Sequence, residues 1–370
     1  MKEFIVNVDY YDLVLYSSSL YDEKRIDALF AQCAAHGVTT VLWRLSICGV
    51  AAWRSKVRPW YAAKYVKSPN AFNMVRILRQ FDPLEAACRL GHAHGLKVFP
   101  WITLMDEDAL PGLISDFVLE HPEFTWRSRD QKRYLRGALC YAYPEVREYR
   151  MREIREVLGY DIDGMYLCTR SHARFGNESR DLDDFGYNAP IVEEYRKRHG
   201  VDILKSDFDK LALYDLQGEH FTSFLREASA AVHGRKVPLW TGIHSDGYSM
   251  MNISPMGHMK LDYETWSGDR LIDGLIVAAG EAILDQNELW FRRVKAQYAE
   301  VRKRVPVFAG FRLWDWRNEL PWYNAADKET KNPDLIASVA RKYAPQFDGY
   351  AYHEALNIEQ YDLWEHLKVR

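Results

Sequence analysis

The run DGMYLCTRSHARFG, residues 163–176, passes from apolar residues into Arg170, His172 and Arg174. Guanidinium groups engage carboxylates and sulfates in bidentate fashion, so this cluster suits an anionic ligand. Elsewhere Glu354, Asp315, Asp246 and Asp106 each stand at or just beyond an apolar run. Two carboxylates facing each other across a cleft hydrolyse a glycosidic bond, one as general acid and the other as nucleophile or base. Within or at the ends of such runs also lie Arg44, Trp101, Trp240, His244, Arg312, Trp314 and Tyr352. Such a mixture of cations, indoles, imidazole and phenol can hold a sugar by hydrogen bonds and by contact with its apolar ring face.

Those residues work together only if the fold brings them to one place, and the hydrophobic periodicity says how. In RIDALFAQCAAHG, Ile26, Leu29, Phe30 and Cys33 mark one helix face, Gly37 stops the helix, and VTTVLWRLS follows as a β-branched strand. The same helix-then-strand unit recurs along the chain, and with EFIVNVDY at the start it predicts eight strands. Alternation of this length argues for an α/β fold, a single (β/α)8 TIM barrel spanning residues 1–370 with extended loops after strands 2, 3 and 4. A doubly wound open sheet is the alternative, but it would usually carry a glycine-rich loop after strand 1, and NVDYYDLVLYSS has none. Strands 4, 6 and 8 open with Asp163-Gly164, Asp273-Gly274 and Asp348-Gly349, which this fold places at the mouth opposite the active site, as turn residues.

The catalytic mouth is the C-terminal one, and every candidate named above follows a strand there, apart from Trp101, Trp240 and Tyr352, which lie within strands. Alternation puts Tyr166, Cys168 and Arg170 on one face, turns Arg44 inward and Trp43 outward, and makes Tyr350, Tyr352 and Glu354 share a face. The loop from Ile47 to Gln80 holds Arg54, Lys56, Arg58, Lys64, Lys67, Arg76 and Arg79 without an acid, interleaved with aromatics. It reads either as a solvated surface or as a groove for an anionic chain. Because the patch is local and the formal net charge is −3, no nucleic-acid partner is expected. The insertion 171–206 could wall the cleft or mediate contact in a homo-oligomer.

Other chemistries lack their patterns. His92 and His94 in GHAHG end a helix and precede strand 3, at the wrong end for a metal site, so neither metal nor cofactor is expected. Five cysteines without CxxC spacing read as reduced core thiols. Nowhere do 18 uncharged apolar residues run together, so no membrane partner is expected. The chain as written fits a cytoplasmic protein, or a periplasmic or secreted one whose signal peptide has been removed.

In HPEFTWRSRD, YPEVREYRMREIREVLGYDIDGMYL and FGYNAPIVEEYRKRHGVDI the chain resembles the glycosylhydrolase-family-10-like group of bacterial barrel proteins. The resemblance implies a barrel glycosidase acting on a carbohydrate. Many barrel glycosidases similar to this group carry an acid at the end of strand 4, where this chain has Cys168 and Arg170. Glu354 after strand 8 and Asp315 after strand 7 then become the leading carboxylates, with Asp246 and Asp106 in reserve. The expected function is hydrolysis of an anionic, uronic or sulfated, oligo- or polysaccharide. Two alternatives stay open: a uronate lyase, and a glycan-binding barrel without turnover.

Overall fold

The computed structural model describes residues 2–17, 20–60, 71–108, 113–169, 185–244, 259–278, 288–313 and 333–367. Eight parallel strands close into a barrel: β1 (Glu3–Val8), β2 (Thr40–Arg44), β3 (Lys97–Thr103), β4 (Met165–Cys168), β5 (Leu239–His244), β6 (Gly274–Ala278), β7 (Val307–Arg312) and β8 (Gly349–His353). Each pairs with the next, and β8 pairs with β1. Helices cover the outside by the expected apolar stripes. In Glu23–Ala35 the four predicted residues Ile26, Leu29, Phe30 and Cys33 are all buried, and Asp22 caps the helix by accepting the N–H groups of Lys24 and Arg25. All five cysteines are buried and unbridged. No helix among the described residues is long and apolar enough to cross a membrane.

A closed barrel must fill its own lumen, and the Asp-Gly repeat is part of how this one does so. Trp240 on β5 faces Gly274 on β6, and Phe308 on β7 faces Gly349 on β8. Phe99 on β3 lies over Gly164, which precedes β4: a Cβ there would sit 2.3 Å from the ring. Odd strands supply the rings and even strands the space. The three rings pack across the axis in tilted contact, with Phe99 4.4 Å and Phe308 4.7 Å from Trp240, centroid to centroid. Ile5, Leu42, Trp101, Tyr166, Cys168, Ile276 and Ala351 complete this inner core.

The aspartates of the repeat lie at the N-terminal mouth and act alike. Each carboxylate accepts the backbone N–H that opens the neighbouring strand: Asp163 from Val98 at 2.7 Å, Asp273 from Leu239 at 2.8 Å and Asp348 from Val307 at 2.9 Å. Each is also met by a basic side chain from the helix leading into that neighbouring strand, His92, His233 and Arg302 respectively. His92 is thereby accounted for as a structural residue, and His94 likewise faces Asp27 at 2.8 Å.

Three details depart from the sequence reading. The loop after β2 contains a helix, Ala71–Gln80, and the loop after β3 folds an antiparallel hairpin of Thr125–Arg127 with Tyr134–Leu139. Within the insertion after β4, a helix spans Ala189–His199 and buries Ile191, Val192 and Tyr195. On β8 Tyr350 and Tyr352 do share a face, but it is the outer one, toward the helices, while Ala351 belongs to the inner core and Tyr352 is thereby removed from the mouth.

Replacing Gly164 by Ala should cost about 1–3 kcal/mol, because the Phe99 ring has no room to retreat within a filled lumen. Gly234→Ala, at a helical site with nothing within 4 Å, should leave stability unchanged or slightly improved. Urea unfolding of the two variants checks the contrast, and equal stabilities would contradict the packing described.

Candidate active site at the C-terminal mouth

The side chain that organises the described part of this mouth is Arg44, the last residue of β2. Its guanidinium donates through Nη1 to Asp9 and through Nη2 to Asp106 at 2.9 Å, and lies 5.2 Å from the Trp101 ring centroid. Asp9 directly follows β1 and Asp106 lies three residues past β3, so one cation ties the ends of three adjacent strands. At 3% exposure, burial pushes its pKa down, but Asp9 and Asp106 outweigh that and hold it above the ordinary arginine value. Arg44 does face inward, as its parity requires. Its charge is spent on two protein carboxylates, however, so it is a rim clamp and not the substrate-binding arginine expected.

A second group forms where β1 and β8 run into short helices. Asp9 precedes the helix Tyr10–Tyr16, Asp12 sits in its first turn, and Glu354 precedes the helix Ala355–Gln360. Neither Asp9 nor Glu354 uses its side chain to cap its helix. Instead one carboxylate oxygen from each of Asp9, Asp12 and Glu354 comes within 4.8 Å of the others, all three residues being buried. Full ionisation of carboxylates this crowded is unfavourable, and a proton, a cation or a guanidinium relieves it.

Between these groups lies the floor of the mouth. His353, the last residue of β8, pairs in register with Asn7 on β1, and its Nδ1 lies 3.3 Å from Asn7 Nδ2. Its ring meets Trp101 edge-on, 5.6 Å between centroids at 71°. Trp101 is buried, and its indole N–H has no partner among the described residues.

Of the residues expected here, Arg44, Trp101, Asp106 and Glu354 come together. Trp240 does not: as the second residue of β5 it plugs the lumen between Phe99 and Phe308, below any surface a ligand could reach. Tyr352 does not either. It packs outward, fully buried, with its hydroxyl donating to Leu367 O at 3.3 Å, because the inner positions of this strand are the small Gly349 and Ala351 and the inward His353. His244 and Arg312 end β5 and β7, in register with Ala278 and His353. Their side chains, and all of Asp246, Asp315, Trp314, Arg170 and His172, lie outside the described residues.

Asn7, Asp12 and His353 escaped the sequence reading. A signal for His353 existed: the repeated glycine marks the inner face of each even strand, so counting in twos from Gly349 leads through Ala351 to His353.

Outside the mouth, the loops are held by a buried ionic network. Arg58 donates to Glu107 and to Glu153, each at 2.6 Å, and Arg150 bridges the same pair of carboxylates at 2.6 and 3.0 Å. All four side chains are fully buried. Arg58 is therefore withdrawn from any basic groove, and Arg54 is turned to Leu78 O. Arg76 and Arg79 stay exposed, while Lys64 and Lys67 lie outside the described residues.

The family described as glycosyl hydrolase-like 10 matches residues 4–310. The structure is similar to the PgaB (BpsB) glycoside hydrolase domain from Bordetella bronchiseptica, with a TM-score of 0.62 and 12% identity over 100% of both chains. It is also similar to the catalytic domain of beta-amylase from Paenibacillus polymyxa, with a TM-score of 0.52 and 12% identity over 96% of this chain and 93% of that one. At these identities the likeness is one of fold. No curated protein matches the chain.

Arg44→Met should destabilise the protein by about 3–5 kcal/mol, since it strands Asp9 and Asp106 as buried charges, and Arg44→Lys should recover little because one ammonium cannot span both. Denaturant titration reads both. Burial pushes the Glu107 pKa up, but Arg150 and Arg58 hold it below the ordinary 4.5. Its contribution to stability is thus complete above pH 4.5 and lost as pH falls through the depressed folded value. Unfolding free energy measured from pH 6 downward, a range of roughly two to three units, should decline on the acid side, and Glu107→Gln should flatten that limb while lowering stability at neutral pH.

Proposed function

The chain belongs to the glycosyl hydrolase-like 10 family, and from that premise we propose that it hydrolyses a glycosidic bond in an anionic oligo- or polysaccharide at the C-terminal mouth of its barrel. The observation that carries this reading is the convergence of Asp9, Asp12 and Glu354 at the ends of β1 and β8, beside Trp101 and His353. A general acid must hold a proton at working pH, and crowding among carboxylates favours that. Glu354 is assigned this role. Asp315, which follows β7, the neighbour of β8, is the second carboxylate, and Asp246 is the alternative. Arg170 and Arg312 follow or end inward-facing runs and supply the preference for uronate or sulfate. The chemistry assigned to these side chains needs no cofactor.

One observation favours a rival. Cys168 ends β4 where an acid would be expected of a glycosidase of this kind, and Glu354 has no exposed surface, which would suit a barrel that binds glycans without cutting them.

The deciding experiment incubates the protein with neutral, sulfated and uronic glycans and measures new reducing ends and unsaturated products. Hydrolysis of an anionic glycan is expected, with binding weakened by added salt. Glu354→Gln should lower turnover by about 10²–10⁴-fold with little loss of ligand binding. Unsaturated products would instead indicate a lyase, binding without products the rival, and wild-type turnover by the variant would move the acid to Asp246 or Asp106.

A further inference from the structure

We infer that the deepest sugar subsite of the mouth lies over the quadrant formed by β6, β7, β8 and β1, with His353 as its specificity residue and Asn7 as the residue that positions it. The inference rests on the reading above that the ligand is a glycan, and it adds where one ring of that glycan sits and what recognises it.

The inner residues near the strand ends divide sharply by exposure. On the β2, β3 and β4 side, Arg44, Trp101, Thr103 and Cys168 are all buried, so protein fills the lumen up to the rim. On the other side Ala278, Gly310, His353 and Asn7 keep partial exposure. The register makes these four contiguous: Ala278 pairs with Gly310, Gly310 with Ala351 two residues before His353, and His353 with Asn7. Ala278 and Gly310 carry no side chain beyond a methyl group, so nothing of their own stands above this floor. Glycine at 310 follows from close strand packing, because a Cβ there would meet Ala278 Cα and Ile276 Cγ2 at 3.3 Å. The low corner is therefore built into the barrel wall.

Its polar edge suits a sugar. Asn7 holds one imidazole nitrogen of His353, and Trp101 braces the ring edge-on, which fixes the imidazole before a ligand arrives. Asn7 Oδ1 is itself buried, so Asn7 acts on the subsite by holding the imidazole and not by touching the sugar. An oriented, partly exposed imidazole above a floor of small residues fits a hydroxyl of one pyranose ring lying against β6 and β7.

The test uses His353→Phe, His353→Gln, Asn7→Ala and Ala278→Leu in the intact chain, with Gly234→Ala as control. The probes are the neutral, sulfated and uronic glycans named above, with turnover followed by reducing ends and affinity by calorimetry. His353→Phe and Asn7→Ala should each weaken KM or Kd about tenfold, the size of one well-placed hydrogen bond, with kcat changed less. His353→Gln should recover part of the loss, and Ala278→Leu should block the subsite while unfolding cooperatively near the wild-type midpoint. Weakened binding in these variants without turnover in any protein would uphold the subsite and reject the hydrolase. Normal turnover and affinity in His353→Phe and Ala278→Leu would reject the subsite and leave the hydrolase standing. If no probe binds or is cut by the wild-type chain, both are overturned.

Discussion

A closed ring of eight parallel strands encloses a space too narrow for water to solvate usefully and too wide to be left empty, and everything in this protein is arranged around filling it. Large rings at Phe99, Trp240 and Phe308 can occupy the axis because Gly164 leaves room for Phe99 and Gly274 leaves room for both Trp240 and Phe308, while Gly349 lets β8 lie close against Glu3 of β1. The aspartate preceding each glycine then accepts the N–H that opens the neighbouring strand. One dipeptide thus seals the lumen and trims the sheet at the same end. With that end plugged, polar groups that need solvent or a ligand are left to the other.

At the C-terminal mouth the balance shifts from apolar packing to buried charge. Asp9, Arg44 and Asp106 are nearly inaccessible, a state that is tolerable for ions only when each is paired with good geometry. Arg44 meets that condition with a two-pronged guanidinium, and its burial leaves it almost no surface to offer a substrate anion. The network of Arg58, Glu107, Arg150 and Glu153 does the same one layer further out, joining the loops after β2 and β3 to the helix Pro144–Val157. Rigidity at the rim is the consequence: groups that would contact a glycan rest on pairs that cannot loosen without exposing an unpaired charge.

Much of this was legible without coordinates. Eight strands, their order, the inward turn of Arg44 and the structural role of the Asp-Gly repeat all follow from local patterns, because periodicity and turn chemistry act over a few residues. The positions of Trp240 and Tyr352 did not follow. An indole inside a strand looks the same to the sequence whether it plugs the lumen or lines a cleft, and the difference lies in how deep along the barrel axis it falls.

Periodicity and spacing by themselves determined that this chain is a closed (β/α)8 barrel with acids, arginines and indoles near its strand ends, while its glycoside-hydrolase-like character entered through family resemblance. Tertiary structure alone decided which of those groups are spent on one another. Asp9 and Asp106 stand 35 and 62 residues from Arg44, and Asp12 and Glu354 are separated by nearly the whole chain, yet each set meets within a few ångströms. Pairing of buried charges depends on distance through space, which the pairing of β1 with β2 and β2 with β3 sets for Arg44 and the closure of β8 onto β1 sets for Asp12 and Glu354, and which no local pattern in the chain encodes.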